Sequence, residues 1–123
     1  MSTTLRSGID LIDVERITRL KPSIRERFLA RVFTQAEQQL CAGRDERLAG
    51  RFACKEAVAK ALGTGIGTVR WRDIEILAEE NGSPRLILHG EAQRTADELG
   101  LTVWSVSISH IKTMAVAMAV AGN

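Results

Sequence analysis

Two acidic residues and one lysine in this chain have the side chains that a divalent cation and a phosphate require. Glu56 and Lys60 lie four residues apart in a segment that reads as a helix, so they share one face. Asp10 lies in an apolar segment near the N-terminus that reads as a strand. Two converging carboxylates suit Mg²⁺, which takes oxygen ligands and is commonly held by carboxylates and substrate phosphates. A salt bridge from Asp10 to Arg16 or Lys55 is an equally weighted alternative, because a carboxylate among apolar residues needs a partner.

Other polar residues offer contacts to a phosphate, each with a simpler alternative. Lys60 would offset negative charge on phosphate oxygens, although a helical lysine is usually a surface residue. The Gly63-Thr64-Gly65 segment either lets the backbone approach a ligand or only ends the helix, and the helix dipole disfavours an anion there. His110 ends a strand, where a histidine usually forms ordinary hydrogen bonds and where contact with a phosphate or nucleotide is the alternative.

The hydrophobic pattern predicts the elements that position these residues. Strands are expected over residues 5–12, 74–77, 84–88, 103–109 and 114–121. Helices are expected over residues 13–20, 22–32, 34–41, 46–62 and 91–99. Thr34 and Glu37 predict a capping box, and Asn81-Gly82 predicts a hairpin turn. Because the helices mostly precede the strands, we expect an α+β fold in which an antiparallel sheet packs on the long central helix.

Composition is that of a globular chain that forms one domain over residues 1–123. The hydrophobic content is 45% and the charged content is 26%, both ordinary values. No apolar segment has the length of a membrane span, and the N-terminus lacks the apolar region of a secretory signal. Cys41 and Cys54 have no metal-ligand or redox spacing, so we expect reduced thiols, a cytoplasmic protein and no membrane partner.

The net charge of +2 conceals a basic N-terminal half. Residues 1–60 contain 12 lysines and arginines against 8 acidic residues, whereas residues 61–123 contain 5 against 7. The excess is concentrated over residues 16–31, where six basic residues accompany one acidic residue. Such a surface attracts an anionic partner, either an acidic protein or a nucleic acid. The chain has no tyrosine and its three phenylalanines are expected in the core, so stacking on nucleic-acid bases is poorly supported.

Five motifs in order resemble the holo-acyl-carrier-protein synthase family. They are Gly8-Ile-Asp-Leu-Ile-Asp-Val-Glu-Arg-Ile17, Phe33-Thr-Gln-Ala-Glu37, the block from Ala49 to Gly67, Asn81-Gly82 with Pro84, and Val106-Ser-Ile-Ser-His110 followed by Ala115-Val-Ala117. The resemblance spans nearly the whole chain. The sequence departs from the family pattern at Arg6, where a glycine is usual, and at Ile111, where many members have a polar residue.

The resemblance implies a 4′-phosphopantetheinyl transferase fold that assembles as a trimer with coenzyme A bound between subunits. It implies a Mg²⁺-dependent transfer of 4′-phosphopantetheine from coenzyme A to a serine of an acyl carrier protein. Adenosine 3′,5′-bisphosphate would be the other product, and fatty acid biosynthesis would be the default pathway. A non-catalytic binder of nucleotide-like phosphates and a basic nucleic-acid-binding module are the alternatives.

The resemblance also assigns roles to residues. It implies metal binding by Asp10 and Glu56. It implies a catalytic role for Lys60. Because the incoming serine must lose a proton, we also expect Glu56 to act as a general base through a metal-bound water. Coenzyme A is expected to contact Arg51, Lys60, Gly63, Thr64, Gly65 and His110. The acidic carrier protein is expected to meet Arg16, Arg27 and Arg31.

Overall fold

The computed structural model describes residues 3–123, and within this range it contains five strands and five α-helices. The strands are β1 (Leu5–Asp13), β2 (Ile74–Ala78), β3 (Pro84–Leu88), β4 (Val103–His110) and β5 (Met114–Gly122). The helices are α1 (Glu15–Thr18), α2 (Pro22–Val32), α3 (Gln35–Cys41), α4 (Asp45–Leu62) and α5 (Gly90–Leu99). A 3₁₀ turn, Trp71–Asp73, leads into β2. No helix in the described range is both long and apolar enough to cross a membrane.

The elements follow the predicted order, with one difference at the start. β1 continues through Asp13, and α1 is a single short turn where a helix over residues 13–20 was expected. The strand continues because antiparallel pairing to β5 holds it as far as the pair of Asp13 and Met114. The prediction of an α+β fold with an antiparallel sheet on the central helix is confirmed.

The main sheet has three antiparallel strands in the order β1-β5-β4, and β2 and β3 form a separate antiparallel hairpin at the predicted turn. In the main sheet, Ala117 of β5 pairs with Asp10 on one side and with Ile108 on the other. Every second residue of β5 is a buried alanine, namely Ala115, Ala117, Ala119 and Ala121. These small side chains let a helix backbone approach the sheet closely.

α4 crosses the inner face of this sheet at very short range. A Cβ atom added to Gly8 would lie 1.9 Å from the carbonyl oxygen of Ala57, so only glycine permits this approach of β1 to the helix. Nearer the N-terminus of the helix, a Cβ atom on Gly50 would lie 2.7 Å from Cγ2 of Ile108. The N-terminal half of α4 therefore lies over β4, and its C-terminal half lies over β1.

The other face of the main sheet is open in the single chain and carries large apolar side chains. The exposed fraction is 76% for Leu5, 58% for Ile9 and 64% for Val103, and Leu11 and Met118 are also exposed. A continuous exposed apolar face of this kind usually marks an interface.

A buried ion pair joins α3, α4 and β2. Lys55 Nζ donates to Glu37 Oε1 at 2.8 Å, and neither side chain has exposed area. Glu37 also accepts the backbone N–H groups of Thr34 at 2.9 Å and Ile76 at 2.8 Å. Burial lowers the pKa of Lys55, and the Glu37 carboxylate acts in the opposite direction. The predicted capping box of Thr34 and Glu37 is confirmed, and it belongs to a larger network that fixes α4.

Candidate active site

The packing of β1 on α4 brings Asp10 and Glu56 together. The pKa of Glu56 is raised, first because the side chain is partly buried and second because the negative charge of Asp10 is close. The charges of Lys60 and Arg16 act in the opposite direction. Two carboxylates that lie far apart in the chain are therefore close enough for their charges to interact.

Lys60 lies at the same site and is the basic partner of Asp10. Its Nζ donates to the carbonyl oxygen of Ile9 at 2.9 Å and to Asp10 Oδ1 at 3.3 Å. About half of the Lys60 side chain is exposed (52%), so the ammonium group remains accessible to a ligand. The alternative expectation of a salt bridge from Asp10 to Arg16 or Lys55 is wrong, because Lys55 is buried in the core and Lys60 occupies this position.

The donor set at this site fits a hard divalent cation. Asp10 and Glu56 supply carboxylate oxygens, and each is only partly buried. Across residues 3–123, no group of three or more histidine, cysteine, aspartate or glutamate side chains could hold a metal ion. A pair of carboxylates that leaves positions open for water and phosphate is the arrangement that Mg²⁺ uses. Asp10 and Glu56 are therefore the residues that could hold such an ion.

The Gly63-Thr64-Gly65 segment ends α4. Gly63 is the C-cap, with a φ of +79° in the left-handed region. The backbone N–H groups of all three residues donate to carbonyl groups in the last turn of the helix. The interpretation of this segment as a helix stop is confirmed, and its contact with a ligand stays a prediction.

Arg6 caps the same end of α4 from β1. Its Nε donates to the carbonyl oxygen of Ala61, and its guanidinium lies against Gly63. A positive charge at a helix C-terminus opposes the negative end of the dipole. Arg6 thus reduces the electrostatic cost of bringing an anion to the glycine segment, and it ties the strand that carries Asp10 to the end of the helix.

Arg51 and His110 line a different cavity, of about 340 Å³, between the N-terminal half of α4, the end of β4 and the β2–β3 hairpin. Arg51 Nε donates to the carbonyl oxygen of Ile76 at 3.1 Å, which fixes the side chain. Gly82 and Pro84 of the hairpin also line the cavity. A concave site with a guanidinium and an imidazole is suited to an anionic ligand.

A single chain does not bring these residues to the acidic pair. Arg51 and Lys60 are nine residues apart on α4, which places them on opposite sides of the helix and about 13 Å apart along its axis. Most α4 positions between them are buried. The predicted coenzyme A contacts therefore divide into two groups. We call them the acidic half-site (Asp10, Glu56 and Lys60, with the adjoining Gly63, Thr64 and Gly65) and the basic half-site (Arg51 and His110).

The predicted basic surface over residues 16–31 is partly consumed by internal ion pairs. Arg19 and Arg25 each pair with a carboxylate, at 2.8 Å and 2.6 Å respectively. Arg16, Arg27 and Arg31 are exposed, and they form no ion pair with any residue in the described part of the chain. The three arginines predicted to meet a partner are thus available to do so.

Comparison with known proteins shows the family of this chain. The family described as the 4′-phosphopantetheinyl transferase superfamily matches residues 7–119. This chain belongs to that superfamily. The holo-[acyl-carrier-protein] synthase of Natranaerobius thermophilus is 48% identical over 116 residues, which cover 92% of this chain and 93% of that protein. The enzyme of the same name from Moorella thermoacetica is 49% identical over 120 residues, covering 94% of this chain and 91% of that protein.

Solved structures in this superfamily have the same fold. The holo-[acyl-carrier-protein] synthase of Helicobacter pylori, in complex with coenzyme A, matches with a TM-score of 0.84 at 34% identity, covering 94% of this chain and 98% of that chain. The synthase from Bacillus anthracis, in complex with coenzyme A (3′,5′-ADP), matches with a TM-score of 0.80 at 35% identity, covering 99% of both chains. The family resemblance drawn from the five motifs is confirmed.

The sequence analysis overlooked two arginines of this phosphopantetheinyl transferase-superfamily chain. Arg70 and Arg72 flank Trp71 and line, with Arg31, a cavity of about 630 Å³. Counting charge by halves concealed them, because neighbouring acidic residues make residues 61–123 net negative. The signal available in the sequence was a tryptophan flanked by two arginines, outside the predicted helices and strands.

Proposed function

We infer that this chain transfers the 4′-phosphopantetheine group of coenzyme A to a serine of an apo-acyl carrier protein. The products would be the holo-carrier and adenosine 3′,5′-bisphosphate. The observation that carries the inference is the convergence of Asp10, Glu56 and Lys60 in a chain of this superfamily. The names of the curated relatives and the coenzyme A in the Helicobacter pylori structure support the two substrates.

The proposed catalytic roles of Glu56 and Lys60 follow from their charges. The leaving group of this reaction is a phosphate ester, so alignment and charge stabilisation account for most of the catalysis. The Lys60 ammonium would neutralise charge on the phosphate oxygens. The Glu56 carboxylate would accept the proton of the carrier serine. Burial and the charge of Asp10 act to raise the pKa of Glu56, whereas a bound cation would lower it.

We propose Mg²⁺ as the metal, with Asp10 and Glu56 as its protein ligands. When bound, the ion would supply Lewis-acid polarisation and a template for the diphosphate. The support is the donor set: two partly buried carboxylates with an accessible side. Lys60 is then the second positive charge of the acidic half-site.

We propose that the complete coenzyme A site forms between neighbouring subunits of a homotrimer. Arg51 and His110 of one subunit would bind the ligand together with Lys60, Gly63, Thr64 and Gly65 of the next. Two features support this arrangement. The half-sites lie on opposite sides of α4, and the outer face of the main sheet exposes Leu5, Ile9 and Val103.

Several broader expectations belong with this proposal. Residues 1–123 would form one domain, and the protein would act in the cytoplasm on the carrier protein of fatty acid biosynthesis. Cys41 and Cys54 are both buried free thiols, which is compatible with a reducing compartment. Neither nucleic acid nor membrane is expected as a partner.

The direct test is to incubate the protein with coenzyme A, Mg²⁺ and an apo-carrier protein and to measure the mass of the carrier. We expect a gain equal to one 4′-phosphopantetheine group, which disappears when a chelator removes the metal. A binder of nucleotide phosphates would bind coenzyme A without any mass gain. A nucleic-acid module would also give no gain and would bind a polyanion column with steep salt dependence.

A matched variant tests the assignment of Glu56. Glu56→Gln has almost the same volume, so the fold should persist while turnover falls by about a hundredfold or more through loss of the general base. Glu46→Gln, in the first turn of the same helix, is the control and should retain turnover. Parent-like turnover in Glu56→Gln would remove this residue from the mechanism.

A further inference from the structure

One cavity adjoins Ile66 and Gly67, which follow the glycine segment at the end of α4. It has a volume of about 630 Å³ and is formed by the end of α2, the segment after α4, the 3₁₀ turn and β2. Its lining includes three arginines, a tryptophan and part of the glycine-rich segment: Arg31, Arg70, Arg72, Trp71, Ile66 and Gly67.

The acidic groups in the cavity are already engaged by internal donors. Glu75 accepts a hydrogen bond from Thr34 Oγ1 at 2.6 Å and lies 3.1 Å from His89 Nε2. Asp73 Oδ2 accepts the backbone N–H of Arg70 at 3.2 Å. The arginines are different: within residues 3–123, the guanidinium groups of Arg31, Arg70 and Arg72 pair with no carboxylate. The cavity therefore presents positive charge to a partner.

Two stacked aromatic rings lie between the cavity and the face of α4 that carries Glu56. Trp71 stacks on Phe52, with ring centres 4.8 Å apart and planes inclined by 25°. Phe52 lies one helical turn before Glu56, on the same face of α4. Arg16 also lies over the Phe52 ring, with its guanidinium carbon 5.8 Å from the ring centre.

From this arrangement we propose that Arg70 and Arg72, with Arg31 and the cavity between them, form part of the docking surface for the acidic carrier protein. The proposal rests on the proposed function, since it assumes that a carrier serine must reach Glu56. Acidic groups of the carrier would meet the guanidinium groups, while the apolar junction of Phe52 and Trp71 supports the surface between cavity and catalytic site. The docking surface would then extend well beyond α1 and α2.

Charge complementarity favours a protein over coenzyme A as the occupant. Ile66 and Gly67 continue the glycine-rich segment, so coenzyme A is the competing ligand. A diphosphate concentrates its charge at one point. Arg31 belongs to α2, and Arg70 and Arg72 flank Trp71, so the three guanidinium groups can meet different carboxylates on a protein surface.

The experiment is direct binding of a labelled apo-carrier protein to the full chain, followed by fluorescence anisotropy at low and high salt. Arg70→Glu and Arg72→Glu are compared with Arg94→Glu, a reversal of the same charge at an exposed position on α5. We expect each cavity variant to weaken carrier binding by about fivefold at low salt, and the pair by more than tenfold. The difference should shrink in about 1 M salt, where screening is nearly complete. The control should stay within about twofold of the parent.

Parallel measurements separate the competing outcomes. Affinity for coenzyme A, measured by calorimetry, should be unchanged in both cavity variants, and thermal unfolding should show that they fold. Carrier affinity equal to that of Arg94→Glu would overturn the proposal. So would a loss of coenzyme A affinity with carrier binding intact, since the cavity would then belong to the nucleotide. Carrier binding that depends on Arg70 and Arg72 without any transfer of phosphopantetheine would support the docking surface and refute the proposed reaction.

Discussion

Replacing Gly8 by alanine should destabilise the protein and separate the two carboxylates of the acidic half-site. The added Cβ would lie 1.9 Å from the carbonyl oxygen of Ala57 and 2.8 Å from its carbonyl carbon. Both atoms belong to the helix backbone, so no side-chain rotation relieves the contact. β1 must move away from α4 by roughly 1 Å, and overpacking of this kind costs about 2–4 kcal/mol. For a chain of this size we expect the Tm to fall by about 8–15 °C.

The same displacement should reduce catalysis in molecules that remain folded. Asp10 lies two residues after Gly8 on β1, and Lys60 bonds to the backbone of Ile9. A misplacement of about 1 Å in a catalytic site can lower turnover by about a hundredfold. The assays are urea unfolding followed by tryptophan fluorescence and the carrier mass assay at a temperature at which the variant is folded.

Gly50→Ala is the matched control on the helix. Its Cβ would meet only the side chain of Ile108, which can move, and alanine is favoured over glycine in a helix by about 1 kcal/mol. We expect its stability to stay within about 1 kcal/mol of the parent. Equal stability and turnover of Gly8→Ala and the parent would show that β1 does not approach α4 this closely. The close approach at Gly8 would then not be what positions Asp10 beside Glu56.

Three other predictions concern stability. Lys55→Met should lower the free energy of unfolding in urea by about 3–5 kcal/mol, because it leaves the Glu37 carboxylate buried without its partner. Adding Glu37→Gln should recover part of this loss, and no recovery would contradict the pairing. Burial raises the pKa of Cys54 from 9.0 to about 12, so the thiol ionises at lower pH in the unfolded chain than in the folded one. Between these pH values the free energy of unfolding should therefore fall more steeply in the parent than in Cys54→Ala, by up to about 1.4 kcal/mol per pH unit. Parallel pH profiles of the two proteins would refute this. Arg6→Met should lower the free energy of unfolding by about 1–2 kcal/mol through loss of the hydrogen bond to the Ala61 carbonyl. Arg6→Lys should be intermediate. An unchanged urea midpoint in Arg6→Met would show that this cap is dispensable.

Features that depend only on residues close together in the chain were predictable from the sequence. The hydrophobic pattern identified all five strands, including β4 and β5. The capping box of Thr34 and Glu37 and the helix stop at Gly63 were likewise local signals. These predictions succeeded because hydrogen bonding and side-chain direction within a few residues follow from backbone geometry.

Ion-pair partners could not be predicted, because they depend on which elements pack together. Lys55 and Lys60 lie on one helix and look alike in sequence, yet one is buried with Glu37 and the other meets Asp10. The buried faces of α4 decide this, since they contact α3 and β2 at one side and β1 at the other. Arg6, read only as a departure from a family pattern, proved to cap α4.

The sequence by itself determined the types of element, their order and the family to which the chain belongs, because periodicity and motif order are properties of the linear chain. Only the tertiary structure decided that Asp10 joins Glu56 and that His110 joins Arg51. Residues distant in the chain meet through packing, and the close approach at Gly8 fixes which side of the helix each strand occupies. α4 contributes residues to both half-sites. Because most of its positions between Arg51 and Lys60 are buried, it separates the two half-sites within a single chain.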